Sequence, residues 1–163
     1  MDELHLRLQR LEDIEAIRQL KANYLHHCDR KNVVAIRDCF AEGEVHIDYG
    51  ELGTFNSRDA FIALYQQLAC HDHIIDMHHG QNAQIQWQSP QQASATWDLY
   101  FHQIDQQKQI LTQLAGFYRD QYIKQAGCWK ISQTLFRVTS SCLVQTDEGR
   151  LSLMFAGQPQ TPG

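Results

Sequence analysis

Two adjacent histidines, His78 and His79, begin a long alternating segment and are well suited to acid–base chemistry. Neighbouring side chains of a strand point to opposite faces, so only one of the two can point into an interior cavity. A buried imidazole is the usual general base near neutral pH, and a carboxylate on its other nitrogen would fix its tautomer and raise its basicity. Asp29, which ends a predicted helix, is the candidate carboxylate. The alternative is a histidine that bonds only to backbone and a helix-end aspartate in solvent.

Three tyrosines could join this pair. Tyr24 lies on the apolar stripe of the helix that ends at Asp29, Tyr49 ends the first predicted strand, and Tyr118 lies in a later strand. A phenol in a dry cavity can donate to a carbonyl or hydroxyl oxygen and stabilise developing negative charge. Each tyrosine taken alone also fits ordinary core packing, so a functional role depends on whether the three converge.

The nine histidines also raise the possibility of a metal site. His71 and His73 could share a strand face, and residues 26–29 are rich in ligand types, but no spacing matches a zinc or facial-triad pattern. The Gly50-x-x-Gly53 turn lacks the lysine of a phosphate-binding loop, and no GxSxG nucleophile motif occurs. The sequence therefore predicts no metal and no nucleotide cofactor.

The helices that must position these groups lie in the first half of the chain. Helical character begins near residue 3 and continues to residue 29, and the predicted buried stripe comprises Leu11, Ile14, Ile17, Leu20, Tyr24 and Cys28. Asn32 can cap a second helix over 33–40, and Ser57 can cap a third over 58–70.

Strands dominate the second half of the chain. A short strand is predicted at 44–49 with a return strand at 54–55, and long alternating strands joined by polar turns follow, near 83–87, 93–101, 110–123 and 129–140. Helices followed by an antiparallel meander predict an α+β fold, in which helices close the concave face of a curved sheet and enclose a cone-shaped cavity. We expect one domain over 1–144 and a polar tail over 145–163 that is loosely ordered at its end.

Composition restricts the class of protein. The 163 residues suffice for one domain with a sizeable core, and 43% hydrophobic with 20% charged residues is typical of a globular protein. A formal charge of −5 argues against nucleic acid or an anionic membrane as partner, and no window of ~18 apolar residues predicts a membrane span. The N-terminal segment lacks the apolar core of a signal peptide, and the five cysteines form no CxxC pair. These features favour a cytoplasmic protein with free thiols.

Three segments carry a resemblance to a known family. LEDIEAIRQLKANYLHHCD ends in a Tyr-x4-Asp pattern, MHHGQNAQIQW leads into an alternating strand, and AGFYRDQYIKQAGCWKISQ places a Tyr-x-Asp-x-Tyr strand before a Trp-Lys strand. Together they resemble SnoaL-like proteins of the nuclear-transport-factor-like superfamily, over roughly residues 8–140. Within that family the chain is most similar to bile-acid and scytalone dehydratases, and more distantly to hexachlorocyclohexane dehydrochlorinase. The resemblance implies a cystatin-like α+β barrel.

The resemblance also implies roles for particular residues. Asp29 matches the family's aspartate, and His78, in its Met-His-x-Gly context, matches the histidine. Matches to the family's tyrosines are Tyr24, Tyr49 and Tyr118. Arg137 falls where the bile-acid enzyme has an arginine near the acidic end of its substrate. Asn82 departs from the family pattern in a region that determines substrate shape, so we expect it to contact substrate. For the same reason, the identity of the family's substrates does not transfer to this chain.

The function expected from these residues is that of a cofactor-independent lyase, specifically a dehydratase, acting on a hydrophobic ring-bearing or polycyclic small molecule. Two alternatives remain: proton transfer without loss of a group, as in a steroid-type isomerase or polyketide cyclase, and a noncatalytic assembly domain like the small subunits of ring-hydroxylating dioxygenases. The resemblance further implies a homo-oligomer, with a trimer preferred to a dimer, formed through the exposed face of the sheet.

Overall fold

The computed structural model describes residues 3–159 and confirms the predicted α+β class. Two helices, two short strands and a third helix precede five longer strands, and the seven strands form one curved sheet. The helices are α1 (Glu3–Asp29), α2 (Val33–Asp38) and α3 (Arg58–Ala69), with one 3₁₀ turn at Gly50–Leu52. The strands are β1 (His46–Asp48), β2 (Thr54–Phe55), β3 (Ile74–Ser89), β4 (Gln92–Asp105), β5 (Ile110–Gln125), β6 (Cys128–Asp147) and β7 (Arg150–Gly157).

The sheet is a meander that wraps around the helices. Its spatial order is β2-β1-β6-β5-β4-β3. The pairs β3–β4, β4–β5 and β5–β6 are antiparallel, whereas β1 runs parallel to β6. Strand β7 pairs with the C-terminal part of β6. Register shifts interrupt the β3–β4 pair between residues 81 and 84 and the β5–β6 pair at 115–116 and 121–122. Such irregularities bend strands and increase their twist, so they give the sheet a concave face that can hold a core and a cavity.

Helix α1 packs on that concave face, but its buried stripe differs from the predicted one. Ile17, Tyr24 and Cys28 are buried as expected, whereas Leu11 is 65% exposed, so its predicted place in the core is wrong. The stripe contains two charged residues instead, Asp13 and Lys21, both less than 5% exposed. Apolar spacing could not reveal them, because each is buried only by virtue of a partner on a distant strand.

Asp13 anchors the first half of α1 to three strands. Its carboxylate accepts hydrogen bonds from Trp87 Nε1 on β3 (3.0 Å), Trp129 Nε1 on β6 (2.9 Å) and Lys124 Nζ on β5 (2.6 Å). A buried carboxylate is tolerated only when it is paired in this way. The contact fixes the helix at one end of the sheet and therefore sets the position of Asp29 at the other end of the helix.

The shorter helices begin where their caps predict. Asn32 Oδ1 accepts a hydrogen bond from Ala35 N at the start of α2, and Ser57 Oγ accepts one from Ala60 N at the start of α3. Helix α3 buries Phe61 and Ile62 against the core. It thereby forms one wall of the space between the helices and the sheet.

The C-terminal part of the chain is more regular than expected. Strand β6 continues to Asp147, and residues 150–157 form β7 rather than a loose segment, with Leu143 paired to Phe155. Every residue of β7 is exposed in the single chain, which explains why composition alone predicts a tail. The expected loose end at residues 160–163 lies outside the described residues, and the division at residue 144 remains a prediction. Within residues 3–159, no helix is both long enough and apolar enough to cross a membrane.

Candidate active site

A cavity of about 240 Å³ lies between the concave face of the sheet and helices α1 and α3. Its walls are largely apolar and aromatic, and its polar groups come from α1, α3, β3, β4, β5 and the residue that follows β1. His78 and the three predicted tyrosines, Tyr24, Tyr49 and Tyr118, all line this space. The structure therefore brings together side chains that are up to 94 positions apart in the sequence.

His78 and Asp29 form the predicted pair. The imidazole Nδ1 lies 2.6 Å from Asp29 Oδ1, and the backbone N–H of His78 donates to Oδ1 (3.0 Å) and Oδ2 (3.2 Å) of the same carboxylate. A carboxylate accepts hydrogen bonds, so Nδ1 carries the proton and Nε2 keeps a free lone pair. Among the described residues that line the cavity, His78 is present and Asp29 is not, so Asp29 acts through the imidazole.

Packing around the imidazole fixes its plane. Phe101, directly opposite His78 on β4, lies with its ring centroid 4.6 Å from that of the imidazole. Two residues further along β3, Gly80 allows α1 to approach: a Cβ at this position would lie 2.7 Å from Leu25 Cδ1. A larger residue at this position would require the Leu25 side chain to move.

The phenols form a cluster beside the imidazole. Tyr24 and Tyr49 share a hydrogen bond with an O–O distance of 2.6 Å, and the Tyr118 ring packs edge-on against Tyr49 at 6.2 Å between centroids. Burial raises the pKa of Tyr24, Tyr49 and Tyr118 above the ordinary value, and neighbouring phenols add to this effect for Tyr24 and Tyr118. The three hydroxyls therefore stay protonated at neutral pH, as hydrogen-bond donors must.

A buried ion pair supports Tyr118 from behind. Lys21 Nζ on α1 lies 2.8 Å from Asp120 Oδ2 on β5 and 3.4 Å from the centroid of the Tyr118 ring. Asp120 also accepts hydrogen bonds from the hydroxyls of Tyr122 (2.7 Å) and Thr134 (2.6 Å). Burial lowers the pKa of the Lys21 ammonium, and Asp120 opposes that change. Sequence reasoning missed this network. The available signals were that Asp120 lies two residues after Tyr118, on the same face of its strand, and that Lys21 lies one helical turn before Tyr24.

A second polar group lies two residues before His78 on β3. Asp76, on the same face of the strand, accepts a hydrogen bond from Gln103 Nε2 (2.8 Å) and pairs with Lys31, which follows α1. Both Asp76 and Gln103 line the cavity. Sequence reasoning missed these residues as well, although the alternation from His78 places Asp76 on the same face.

The structure does not bring the two predicted substrate-binding residues to this cavity. Arg137 makes a two-pronged ion pair with Asp48, at 2.9 and 2.7 Å, because it alternates with the inward-facing Phe136 and so lies on the other face of β6. Asn82 is exposed, with a positive φ of 51° in the β3 irregularity, and donates to Asp98 Oδ2 at 2.7 Å. The expected contacts of Asn82 and Arg137 with substrate have no support from this geometry.

His71 and His73, the first candidate pair of metal ligands, do not line the cavity. His71 and His73 stack at 5.3 Å between ring centroids, and His71 Nε2 contacts the backbone oxygen of Gln67. Across residues 3–159, no group of three histidine, cysteine or acidic side chains could hold a metal ion.

The arrangement is suited to proton transfer at carbon. Nε2 of His78 can accept a proton, the Asp29 carboxylate can stabilise the resulting imidazolium, and the neutral phenols can donate to an oxygen that gains charge. The largely apolar walls strengthen each of these interactions by excluding water.

Comparison with known proteins gives the same fold. A proposed scytalone dehydratase of Novosphingobium aromaticivorans superposes with a TM-score of 0.75 at 21% identity, over 82% of this chain and 88% of that one. A hexachlorocyclohexane dehydrochlorinase of Novosphingobium barchaimii gives 0.73 at 16%, over 96% and 99%. An NTF2-like protein with a cystatin-like fold, also from N. aromaticivorans, gives 0.70 at 19%, over 83% and 87%.

The sequence comparisons are more selective than the structural ones. Proteins of curated function give no match to this chain. The SnoaL-like domain family does match, over residues 9–134, which is most of the chain. This confirms the resemblance identified from the sequence segments, and the chain belongs to the SnoaL-like family.

Proposed function

We propose that this protein is a cofactor-independent lyase, most specifically a dehydratase, that acts on a small ring-bearing molecule. The observation that carries the proposal is the 2.6 Å contact between Asp29 and His78 at the wall of a cavity that also exposes three neutral phenols. Similarity to a proposed scytalone dehydratase and to a dehydrochlorinase, both named for eliminations, is consistent with this class of reaction.

The reaction begins with removal of a proton from a carbon next to a carbonyl. His78 Nε2 takes this proton, and Asp29, hydrogen-bonded to Nδ1, stabilises the imidazolium that forms. The phenols of Tyr24, Tyr49 and Tyr118 hold the carbonyl oxygen as it gains negative charge. The enolate then expels the β-hydroxyl. This group takes a proton from the imidazolium, directly or through a phenol that the imidazolium reprotonates, and leaves as water. The chain's own residues therefore account for every proton.

The cavity indicates the size and polarity of the substrate. Its volume of about 240 Å³ is below the ~300–1,000 Å³ of typical drug-sized sites. Its walls are mostly aromatic and aliphatic side chains, which favour a flat, largely apolar molecule of one or two rings. A four-ring molecule would extend past the mouth of the cavity, where Leu52 and Leu68 are about half exposed.

The test is a panel of one- and two-ring ketones with a hydroxyl on the β-carbon, analysed by mass spectrometry after incubation with the enzyme. Dehydration lowers the product mass by one water. We expect His78→Ala to lose turnover by about 10²–10⁴-fold, whereas His79→Ala, altered at the adjacent outward-facing residue, keeps full activity. A folded His78→Ala protein with full turnover would refute the mechanism.

Isomerisation or cyclisation is the second candidate, because the same base and phenols serve proton transfer without loss of a group. Unchanged product mass together with a shifted double bond or a new ring would identify it. A noncatalytic assembly role is disfavoured by the open cavity and the histidine–aspartate pair.

We also propose that the chain forms a homo-oligomer through the outer face of its sheet. One row of directly paired aliphatic residues crosses five strands on that face: Ile75, Ile104, Leu111, Val144 and Leu153. Ile75, Ile104 and Leu153 are 47%, 37% and 66% exposed in the single chain. A continuous apolar row of this kind is typical of a protein–protein interface. The family resemblance favours a trimer over a dimer.

A further inference from the structure

The polar pair Asp76–Gln103 lies one inward-facing step from the imidazole. Asp76 is directly opposite Gln103 on β3 and β4, as His78 is opposite Phe101. Two residues along a strand span about 7 Å. A ring system that places its reacting carbon at His78 therefore has its distal edge near Gln103.

The two partners of Asp76 determine which way the Gln103 amide faces. The Asp76 side chain is only 2% exposed, and its carboxylate pairs with Lys31 through Oδ2 and with Gln103 Nε2 through Oδ1. A carboxylate offers only acceptors, so the NH₂ group of Gln103 must face Asp76. The carbonyl oxygen Oε1 consequently points away from Asp76 and is free to face the cavity.

Gln103 Oε1 is the acceptor that this end of the cavity offers. Within residues 3–159, Oε1 receives no hydrogen bond from another side chain. The cavity wall is largely apolar, with Leu68, Ala69 and Phe101 among the residues that line it together with Gln103. An unpaired acceptor in an apolar wall costs free energy when a ligand displaces its water, unless the ligand itself supplies a donor.

We propose that Gln103 selects substrates that carry a second hydroxyl on the ring edge distal to the reacting carbon, about 7 Å from it. Gln103 Oε1 accepts the hydrogen bond, Asp76 holds the amide in the required orientation, and Lys31 holds Asp76. Gln103 is thus a specificity residue, and Asp76 and Lys31 are positioning residues. This inference rests on the proposed function and defines the substrate class further, as hydroxylated at both ends.

The experiment compares β-naphthol with the dihydroxynaphthalenes that carry a further hydroxyl on the other ring. These flat two-ring phenols resemble an enolate but have no group to eliminate, so their affinity is measured by calorimetry without turnover. For the unaltered protein we expect one or more of the diols to bind about three- to tenfold more tightly than β-naphthol, the gain of one hydrogen bond. Gln103→Met removes the acceptor at similar volume. It should abolish this gain, and β-naphthol should bind at least as tightly as it binds the unaltered protein, because no acceptor is left unpaired.

Two further variants separate the roles. Gln113→Met makes the same replacement at an exposed residue of β5 and should keep the gain. Asp76→Asn lets the Gln103 amide turn, because an asparagine can donate as well as accept, so the gain should shrink while β-naphthol still binds. Retained binding of β-naphthol also reports that each variant is folded.

Each contrary outcome has a distinct meaning. If β-naphthol binds and no diol binds more tightly, or if the gain survives in Gln103→Met, the inference about Gln103 is wrong and the proposed function stands. If β-naphthol does not bind the unaltered protein, the cavity is not a ring-binding site, and both the inference and the proposed function fail.

Discussion

The Asp29 carboxylate contacts both the ring and the backbone of His78, at 2.6 Å to Nδ1 and 3.0 Å to the amide nitrogen. This double contact has two separate effects on His78. The backbone bond holds β3 at the end of α1, and the ring bond sets the tautomer that leaves Nε2 free to act as a base. Replacement of Asp29 should therefore change the chemistry of His78 more than its position.

For Asp29→Asn we expect a fall in kcat of about 10²–10⁴-fold with little change in KM. The asparagine can still accept from the backbone N–H of His78, but it lacks the charge that stabilises an imidazolium. Steady-state kinetics on any substrate found by the ketone panel measures the effect. Asp98→Asn, at an exposed carboxylate that accepts a hydrogen bond from Asn82, is the matched control and should retain activity. A change confined to KM in Asp29→Asn would contradict the assigned role.

Helix α1 is the element that carries the site, and two buried charged contacts hold it in place. Asp13 ties its first half to β3, β5 and β6, and Lys21 ties its second half to Asp120 on β5. Both contacts lie on the core side of the helix, where apolar side chains are the norm. They specify the position of the helix along the sheet, and that position decides whether Asp29 reaches His78.

The Lys21–Asp120 pair gives a prediction about stability. Lys21→Met leaves Asp120 buried with only its hydroxyl partners, so we expect a loss of about 3–5 kcal/mol in the free energy of unfolding. Urea denaturation measures this loss. A double variant, Lys21→Met with Asp120→Asn, removes both charges and should recover part of the stability. If the single variant is as stable as the unaltered protein, the pair does not hold α1.

The Asp13 contact gives a prediction about pH. Burial acts to raise the pKa of Asp13, but hydrogen bonds from Lys124, Trp87 and Trp129 outweigh burial and lower the pKa below the ordinary value of 3.8. Between these two pKa values the unfolded chain binds more protons than the folded one, so stability rises with pH. The contribution is complete above about pH 4 and is lost as pH falls through the folded pKa.

The matching variant is Asp13→Asn, which has no charge to protonate. It should be less stable than the unaltered protein at neutral pH, and the difference between the two should shrink as pH falls below 3.8. Thermal unfolding followed by circular dichroism across this range tests the prediction. A stability difference that stays constant with pH would show that the ionised carboxylate does not contribute.

At the scale of the whole molecule, exposed apolar residues on the outer face and on β7 are the basis of the proposed assembly. The row from Ile75 to Leu153 crosses every long strand, and β7 is exposed throughout. A second copy of the chain that covered this row would also shield the free edge of β7. The meander therefore offers a concave face for the proposed chemistry and a convex face for the proposed assembly.

Light scattering after size exclusion tests the assembly. We expect the unaltered protein to elute as a homo-oligomer, with a trimer preferred, and Ile104→Glu to shift it toward the monomer because a charge would be buried without a partner. Gln113→Glu, on the same face of β5 but outside the row, should leave the assembly unchanged. A monomer in the unaltered protein would refute the proposed interface.

Local sequence determined much of this protein. Caps at Asn32 and Ser57, apolar alternation and polar turns predicted the helices and the meander, because these signals act over a few residues. The resemblance of the Tyr-x4-Asp and Met-His-x-Gly segments to a family indicated Asp29, His78 and the phenols, which the structure places together.

Only the tertiary structure decided which charged and polar side chains contact one another. Lys21 pairs with Asp120, Asp76 holds Gln103, and Arg137 binds Asp48, across 99, 27 and 89 positions of sequence. Such contacts depend on strand register and on where a helix crosses the sheet, which short patterns do not encode. A single irregularity in β3 places Asn82 outside the cavity. The same geometry places Gln103 on the cavity wall, because register and not residue type determines which polar side chains line the cavity.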